Sequence, residues 1–531
     1  MVNMKSIKLL LLVVSALLTL FACESFLEEV DPNRVTANNF FTTPVGLRDA
    51  VDGVYAPMRD WIGLEEHYTF TVFGTDTFTE AADESSSWSS KQFNRYNSDL
   101  NPLSEKIELL WEVCYRGINN ANTAINRSQE VDMPEAEKND LLGQARFLRA
   151  YYYFWLVRNY GSVPIKLDET VGVETGFSRN STDEVLTSII EDLEFAAANL
   201  STNPVQFGRP STWAARNFLA LAYLTRGRDA SDYQRAFGNA QEVINRSPHR
   251  LLFDYADLWK LENQENNEVI WSVQFSSIES NNGGDGNRGH LFFLMEYDLA
   301  KYHMERDVEN GRPFKRFRPT NYLLELYEEN DPRFNASFKN VWYCNSEARL
   351  PNDGSLAIGD TCIYLPRTPL TDAEKDVKPY TVINPDEYDS RTFPSLRKFD
   401  QPDRVDQSDR DGSRDFIVFR LAETYLIAAE AEYRLNGGGL DYLNAVRRRA
   451  NQPELTSIDI NVILDERARE LAGEGKRWFD LVRSNALVER VRQYNPVIAA
   501  ENIDVHHVLR PLPQSEIDIV DSDNFTQNPG Y

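Results

Sequence analysis

The sequence predicts an all-α protein in which paired helices form a scaffold and one long, irregular segment interrupts it. Apolar residues recur every three or four positions over long stretches, which gives a helix one buried face. These stretches come in pairs, with alanine and other small residues where two helices would meet. From Leu251 to Asp415 the helical spacing stops, and Gly, Pro, Asn and Asp become frequent.

The first helix is predicted to begin at Thr43-Pro44, because Thr is a favourable N-cap and Pro is tolerated at the first helical position. The next two predicted helices run from Ser104 to about Arg127 and from Pro134 to Tyr160. Gly161 follows the second, and Gly readily adopts the left-handed conformation that ends a helix. These two helices form the first predicted pair.

Three further helices are predicted over Thr182 to Leu200, Ser211 to Arg226 and Asp232 to Arg246. After the interruption, Phe416 to Leu435 and Leu440 to Asn451 predict another pair. Helix–turn–helix units of about 34 residues with small residues at the packing positions are typical of tetratricopeptide-like repeats. The sequence therefore predicts a scaffold of tetratricopeptide-like helix pairs, interrupted along the chain.

The interruption from Leu251 to Asp415 contains short strand-like runs, such as Val269 to Phe275. Loops this long inside a compact protein usually carry function. We therefore divide the chain into an N-terminal helical part (23–250), a loop-rich insertion (251–415) and a C-terminal helical part with a tail (416–531). We expect the three to form a single unit, 23–531.

A segment near the C-terminus, Glu466 to Arg483, combines acids, bases and one Trp and invites a catalytic interpretation. On a helix, Glu466 and Glu470 share one face, and Arg467 and Arg469 can pair with acids locally. We therefore predict a packed helix with ion pairs here.

The 531 residues carry 82 acidic and 56 basic side chains, which gives a formal net charge of −26. This charge argues against a nucleic-acid-binding protein, because phosphate neutralisation needs clustered Lys and Arg. It also argues against adsorption to an anionic membrane through basic patches.

The N-terminus offers another route to a membrane. Lys5 and Lys8 precede an apolar run from Leu9 to Leu20, which is too short to span a bilayer but typical of a secretory signal. Leu20-Phe21-Ala22-Cys23 resembles a bacterial lipobox, in which cleavage before the Cys is followed by lipidation of its thiol. We predict a signal peptide at 1–22 and a lipidated Cys23. Cleavage would remove two Lys and no acid, so the charge would change from −26 to −28.

The other three cysteines are Cys114, Cys344 and Cys362. Cys114 lies in a helical pattern and is predicted to be a buried thiol. Cys344 and Cys362 flank a loop, and an exported protein can bridge such a pair. The sequence leaves a disulfide and two free thiols as equal alternatives.

Five segments of the sequence match characteristic segments of a known protein family, in the same order along the chain. The most distinctive, Gln144 to Pro164, reads QARFLRAYYYFWLVRNYGSVP. The others are Phe40-Phe41, Arg420 to Ala431, Glu466 to Arg483 and the end of the chain from Leu512 to Tyr531. In these segments the sequence resembles the SusD/RagB family of outer-membrane lipoproteins from Bacteroidetes, over nearly the whole mature chain.

The resemblance implies a non-catalytic glycan-binding lipoprotein that is anchored in the outer membrane by lipid and faces the cell exterior. Such proteins form a lid over a SusC-like TonB-dependent transporter and deliver oligosaccharides to it, while members of the RagB kind handle peptides instead. The resemblance also implies four tetratricopeptide-like helix pairs that support a loop-rich ligand-binding part. We expect no enzyme activity, no cofactor, no metal and no nucleic acid.

Sugar recognition needs aromatic rings for the C–H faces and planar polar side chains for the hydroxyls. Aromatic residues within the regular helices are predicted to be core, so those in irregular regions are the candidates. The candidate ligand residues are the aromatic Trp88, Tyr96, Tyr297, Tyr302, Trp342 and Tyr343, with Asp76, Asp83 and Arg95 as polar partners. The resemblance implies that two regions line the family's ligand site: the one with Trp88 and Tyr96, and the one from Tyr297 to Tyr343.

Two other functions stay open: the same architecture could capture peptides, or a secreted scaffold could bind protein segments. A glycosidase would need two carboxyl groups about 5–9 Å apart across a cleft, and sequence separation says nothing about that distance. Gly284 to Gly289 matches G-x-G-x-x-G but lacks the parallel βαβ context of a nucleotide site.

Overall fold

The computed structural model describes residues 40–82, 90–172, 174–496, 499–520, 522 and 525–531, and it confirms a mostly α-helical protein. In chain order the helices are α1 (Pro44–Arg59), α2 (Glu65–Thr71), α3 (Gln92–Arg95), α4 (Glu105–Arg127), α5 (Glu135–Tyr160), α6 (Thr182–Asn199), α7 (Thr212–Arg226), α8 (Ala230–Arg246), α9 (Gly289–Phe292), α10 (Asn321–Glu325), α11 (Pro332–Ser337), α12 (Asp372–Asp376), α13 (Leu421–Asn436), α14 (Leu440–Arg449), α15 (Ile460–Glu470), α16 (Arg477–Arg483), α17 (Leu487–Tyr494), α18 (Ala499–Asn502) and α19 (Gln514–Ile519).

The strands are short and lie mostly in the insertion. They are β1 (Phe78–Glu80), β2 (Val269–Val273), β3 (Phe317–Pro319), β4 (Phe338–Lys339), β5 (Val341–Tyr343), β6 (Thr361–Tyr364), β7 (Thr381–Val382), β8 (Ser395–Leu396) and β9 (Phe416–Arg420). They form the antiparallel pairs β1–β3, β2–β9 and β4–β8, and a sheet in which β6 lies between β5 and β7.

Capping residues set the ends of the predicted helices. Thr43 accepts a hydrogen bond from the Gly46 N–H at 3.0 Å, and Pro44 is the first residue of α1. Gly161 and Gly227 follow α5 and α7 with φ of +72° and +48°, a region that favours glycine. The helices predicted before residue 250 therefore all occur, with ends within two residues of those expected.

The long helices pack as neighbours in chain order, and α8 then packs against α13, so the C-terminal part continues the stack begun by the N-terminal part. Small residues allow the close approach. A Cβ added at Gly117 of α4 would lie 2.3 Å from the ring of Tyr152 on α5, so only glycine fits there.

Two predicted helices are wrong in part. Phe416 to Arg420 forms strand β9, paired antiparallel with β2, and the helix begins only at Leu421. Its β-branched and aromatic residues suit a half-buried strand once a partner strand lies beside them. The segment from Glu466 to Arg483 is two helices, α15 and α16, because Gly473 and Gly475 between them adopt φ of +79° and +76°.

The insertion, which we call the loop-rich lobe (residues 251–415), has a hydrophobic core of its own. Its members include Met295, Tyr297, Met304, Trp342 and Ile363, each at most 2% exposed. Ala81, which follows β1, packs into the same core. The lobe therefore has an ordered interior, with loops on its surface.

Charged side chains hold the loop-rich lobe to the C-terminal helices. Glu466 and Glu470 of α15 and Glu474 after it contact basic side chains from several elements, and all of these side chains are at most 10% exposed. We call this set the buried ion-pair network: Glu268, Asp331, Arg333, Lys398, Arg420, Arg447, Arg449, Glu466, Arg469, Glu470 and Glu474.

Arg333 and Arg420 are the hubs of this network. Arg333 Nη1 lies 2.7 Å from Glu466 Oε1 and 3.0 Å from Glu470 Oε2. Arg420 Nη1 lies 2.7 Å from Glu470 Oε1, and Arg420 Nε lies 2.6 Å from Glu474 Oε2. Burial by itself would raise the pKa of Glu466, but the guanidinium groups of Arg333 and its neighbours lower it to about 2. The ion pairs predicted for the segment from Glu466 to Arg483 are therefore present, and this segment is a structural element.

We expect Glu470→Gln to lower the free energy of unfolding by about 3–5 kcal/mol, because it leaves Arg333 and Arg420 buried with too little negative charge beside them. Urea unfolding followed by circular dichroism measures this loss. Glu454→Gln is the matched control, because its ion pair with Arg448 is half-exposed and should contribute at most about 1 kcal/mol. Equal losses in the two variants would contradict a stabilising role for the network.

We also expect the protein to lose stability in acid. The pKa of Glu466 is about 2 in the folded protein and about 4.3 in an unfolded chain, so the unfolded state binds the proton first as the pH falls. The contribution of Glu466 is therefore complete above about pH 5 and is lost progressively towards pH 2. Urea unfolding at a series of pH values should show this decrease, and it should be shallower in Glu466→Gln. If Glu466→Gln lost stability with falling pH as steeply as the wild type, the assignment of this loss to Glu466 would be wrong.

Candidate ligand-binding site

The two regions named from the sequence meet in the structure. Strand β1 pairs antiparallel with β3 of the loop-rich lobe, with Thr79 opposite Arg318. The Ala81 N–H then donates to the Arg316 carbonyl at 3.2 Å, and the Ala82 N–H donates to the Ser390 carbonyl at 2.7 Å. The chain on the N-terminal side of residues 83–89 is therefore fixed to the lobe.

A set of charged side chains surrounds this junction. We call it the charged rim, and its members are Glu80, Lys91, Arg95, Arg318 and Asp389. Arg95 Nε donates to Glu80 Oε2 at 2.8 Å, and Arg318 Nε donates to the Glu80 carbonyl at 3.1 Å. Among the described residues, the two terminal nitrogens of Arg318 have no hydrogen-bond partner. They are the donors that the rim offers to a ligand.

Burial lowers the pKa of Arg318 from its usual value, while the nearby carboxylates of Asp389 and Glu80 act in the opposite direction. Arg318 is only partly buried. The guanidinium is thus partly desolvated, which strengthens any hydrogen bond it donates to a ligand.

A groove of about 250 Å³ adjoins the rim through Tyr388, the neighbour of Asp389. The Arg367 guanidinium lies 4.5 Å over the ring of Phe334 and donates to the Glu328 and Glu329 carbonyls at 2.8 and 2.7 Å, which holds this wall in place. The groove is lined by Asn321, Leu324, Glu325, Tyr327, Glu329, Phe334, Arg367, Thr368, Pro385, Tyr388 and Pro394. Tyr327 and Phe334 are buried, so the ring that the groove exposes is that of Tyr388, beside polar side chains such as Asn321.

Four of the aromatic residues predicted to contact ligand are instead buried, so they offer no ring face to a ligand. Tyr297 and Trp342 are unexposed and stack on each other, with ring centroids 4.5 Å apart. Tyr302 is 2% exposed, and its hydroxyl lies 3.2 Å from Thr392 Oγ1. Tyr96 is 3% exposed and donates to the Gly74 carbonyl at 2.5 Å. These rings form the core of the lobe and of its junction with the scaffold.

Asp76 was predicted as a polar ligand contact, but it is completely buried in an ion pair. Arg477 Nε donates to its Oδ1 at 2.7 Å, and Arg490 Nε donates to its Oδ2 at 2.9 Å. Burial alone would raise the pKa of Asp76, but these two guanidinium groups lower it. Asp76 therefore fixes the start of β1 rather than binding a ligand.

The remaining predicted residues divide between surface and undescribed positions. Tyr343 is 55% exposed, and it directly precedes Cys344. Arg95 also reaches the surface, where it is paired with Glu80. Trp88, Asp83 and Cys23 lie outside the described residues.

Cys344 and Cys362 form a disulfide, with Cα atoms 5.2 Å apart. This is one of the two alternatives that the sequence left open. Both residues lie in the core of the loop-rich lobe, where β5 pairs with β6. Cys114 is a buried free thiol, as its helical pattern predicted.

Across residues 40–82, 90–172, 174–496 and the described positions after them, no three His, Cys, Asp or Glu side chains are grouped as metal ligands. In the same part of the chain, no helix has the length and apolar character needed to cross a bilayer.

Comparison with known families decides the relationship. The profile described as "SusD family" matches residues 267–531, and the profile described as "Starch-binding associating with outer membrane" matches residues 25–224. The chain belongs to the SusD family. It is 29% identical to SusD-like protein P25 of Formosa agariphila over 534 residues, with 94% of each chain covered.

Solved structures show that the SusD fold extends over nearly the whole chain. A laminarin binding SusD-like protein has a TM-score of 0.71 at 24% identity, covering 92% of this chain and 100% of that one. Surface glycan-binding protein A from Bacteroides thetaiotaomicron, solved in complex with laminarihexaose, has a TM-score of 0.70 at 21% identity, covering 92% and 99%. The sequence-based recognition of the family is therefore confirmed.

Sequence reasoning missed the side chains of this SusD-family protein that line the site. Arg318 lies in the short run Phe317-Arg318-Pro319, which has no distinctive pattern. Tyr388 and Arg367 each stand in loops, with no aromatic residue directly beside them in the sequence. Only the pairing of β1 with β3 and the folding of the lobe around Phe334 bring them together.

Proposed function

We propose that this SusD-family protein captures a glycan in the groove and charged rim of the loop-rich lobe and delivers it to a SusC-like TonB-dependent transporter. The observation that carries the proposal is the junction of β1 with β3, because it places Arg318 near Asp389, the residue that follows Tyr388 of the groove. A glycan chain could lie across both.

The chemistry of the groove suits a neutral sugar. The partly exposed ring of Tyr388, with Leu324 and Pro385, supplies apolar surface for sugar C–H groups. Asn321 and Arg318 supply hydrogen-bonding groups for hydroxyls. The Tyr388 hydroxyl donates to the Pro366 carbonyl at 3.3 Å, so its oxygen is left to accept a hydrogen bond from a ligand. Trp88 and Asp83 stand in the chain between Ala82 and Ser90, next to the rim, and we propose them as further contacts.

The relatives support this class of ligand. One similar structure is of a protein that binds laminarin, another holds laminarihexaose, and one matching profile is described as starch-binding. These ligands are all neutral glucans, and we propose a glycan of that general class. We further propose that the protein binds without cleaving, which the matching profile described as starch-binding supports.

We propose that lipid on Cys23 anchors the protein in the outer membrane with the ligand site facing the cell exterior. The lipobox-like Leu20-Phe21-Ala22-Cys23 after an apolar run supports this anchor. The family description associates such proteins with the outer membrane.

We expect Arg318→Ala and Tyr388→Ala each to weaken glycan binding about tenfold, because each removes one or two contacts worth about 1 kcal/mol. Affinity electrophoresis against starch, laminarin, xylan, levan and mucin identifies the glycan, and calorimetry measures the loss. Arg228→Ala is the matched control, because its exposed pair with Asp183 lies on the helical scaffold.

Three outcomes of this experiment contradict the proposal in different ways. Binding to peptides and to no glycan would favour a RagB-type peptide-binding protein. New reducing ends in the incubated glycan would show an enzyme. Unchanged affinity in both variants would place the glycan elsewhere on the protein.

We expect Cys23→Ala to remove the protein from the outer-membrane fraction, because it removes the thiol that carries the lipid. Metabolic labelling with a palmitate analogue, followed by membrane fractionation, measures this. Cys114→Ala is the control, since that thiol is buried and should leave labelling unchanged. If the wild-type protein were found in the membrane without label, the lipid anchor would be ruled out. If no large β-barrel protein co-purified with it from outer membranes, the transporter partnership would be ruled out.

A further inference from the structure

A second cleft lies where the helical scaffold meets the loop-rich lobe, beside strand β2. It runs between the loop 202–211, which joins α6 to α7, and strand β2 with the residues before it, and it encloses about 380 Å³. We call it the β2 cleft. A smaller hollow of about 240 Å³ adjoins it, shares Phe207, Gly208 and Arg209 with it, and extends to Tyr55 and Gln274. Together they have the size of a small-ligand site.

The walls of the β2 cleft are fixed in place. Trp271 Nε1 of β2 donates to the Gly208 carbonyl at 3.0 Å, which ties the loop to the strand. Gly208 has φ of +88°, and a Cβ there would lie 2.4 Å from Gln274 Cγ, so the loop approaches as closely as glycine allows. At the other end of the loop, the Ser201 N–H donates to Asp140 Oδ1 at 2.8 Å. A site with fixed walls loses little conformational entropy when a ligand binds.

Several polar side chains line the β2 cleft without a partner in the described part of the chain. They are the hydroxyl of Thr202, the amides of Asn203 and Asn267, and the carboxylate of Glu265. An amide offers both donors and an acceptor, which is what a sugar hydroxyl needs. The His249 ring is held at the wall by its contact of 3.2 Å between Nδ1 and the Asn267 carbonyl, which leaves Nε2 for a ligand.

The charge of the cleft selects against ionic ligands. Arg209 is the guanidinium in its wall, but Asp52 neutralises it at 2.7 Å and it also donates to Gln144 and Gln206. Its charge is therefore already paired, which makes it a weak partner for a phosphate or a carboxylate. With Glu265 present and the protein at −26, an acidic glycan would be repelled.

Apolar surface completes the lining. The ring of Phe207 is partly exposed, Pro248 is exposed, and Val205 at the edge of the cleft is fully exposed at 102%. Such surface beside unpaired amides fits a ligand with C–H faces and hydroxyls on the same ring. Neither an anion nor a purely apolar chain would satisfy both parts of the lining.

We propose that the β2 cleft is a second binding site for a neutral segment of a glycan, separate from the groove of the loop-rich lobe. This inference rests on the proposed function, since it takes the same class of ligand. Two sites on one protein that bind the same polymer chain raise its apparent affinity well above that of either site. A long glycan would then be retained better than a short oligosaccharide.

Calorimetry with laminarihexaose, maltohexaose and xylohexaose tests the inference on the whole mature protein. We expect two binding events in the wild type with one of these probes. Asn203→Ala with Asn267→Ala should weaken one event about tenfold and leave the other unchanged, because two hydrogen bonds are lost. Both residues are exposed, so the fold should survive. Asn245→Ala, an exposed asparagine near the end of α8 that does not line the cleft, is the matched control.

The groove variant separates this inference from the proposed function. Arg318→Ala should weaken only the event that the cleft variant leaves intact. A single event that Arg318→Ala weakens and the cleft variant does not would overturn the second site alone. No binding of any probe by the wild type would overturn the proposed function and the second site together. Retention of the long polymer should also fall in the cleft variant, and equal retention would count against the second site.

Discussion

The buried ion-pair network is the interaction on which the arrangement of the whole protein depends. Removing ions from water costs several kcal/mol each, and this cost is offset only when every charge has its partners in good geometry. Here Asp331, Arg333 and Lys398 come from the loop-rich lobe, while Arg420 and Glu470 come from the C-terminal part. Neither part can move away without leaving charges buried and uncompensated. The network therefore fixes the lobe on the scaffold.

A smaller ion pair does the same for the ligand-binding groove. Asp76 stands two residues before β1, and its contacts with Arg477 and Arg490 set where that strand begins. The pairing of β1 with β3 then places Arg318 at the rim. The position of the candidate donors thus depends on side chains that no ligand could reach. A fixed framework beneath a site reduces the entropy lost when a ligand binds.

Local patterns predicted most of the long helices correctly, because capping residues and helical spacing act within a few residues. They failed where the partner is distant in the chain. Phe416 to Arg420 reads as helix until β2, far earlier in the sequence, supplies a strand to pair with. Asp76 was predicted as a ligand contact because its partners, Arg477 and Arg490, lie about 400 residues later in the chain. Whether a charged side chain is buried depends on the assembled fold, and this cannot be read from a single sequence.

The aromatic residues of the insertion show the same limit in the candidate site. An insertion of this size must bury apolar surface of its own to stay folded, and Tyr297, Tyr302 and Trp342 are the largest groups it has for that purpose. Choosing ligand residues by ring size alone therefore selects the core first. The side chains left for recognition are those at its edge, such as Arg318 and Tyr388, whose roles follow from position and not from composition. At the rim Glu80 pairs with Lys91 and Arg95, and Asp389 lies near Arg318, so each base has an acid beside it. On a protein of charge −26, such a rim suits a neutral ligand better than an acidic one.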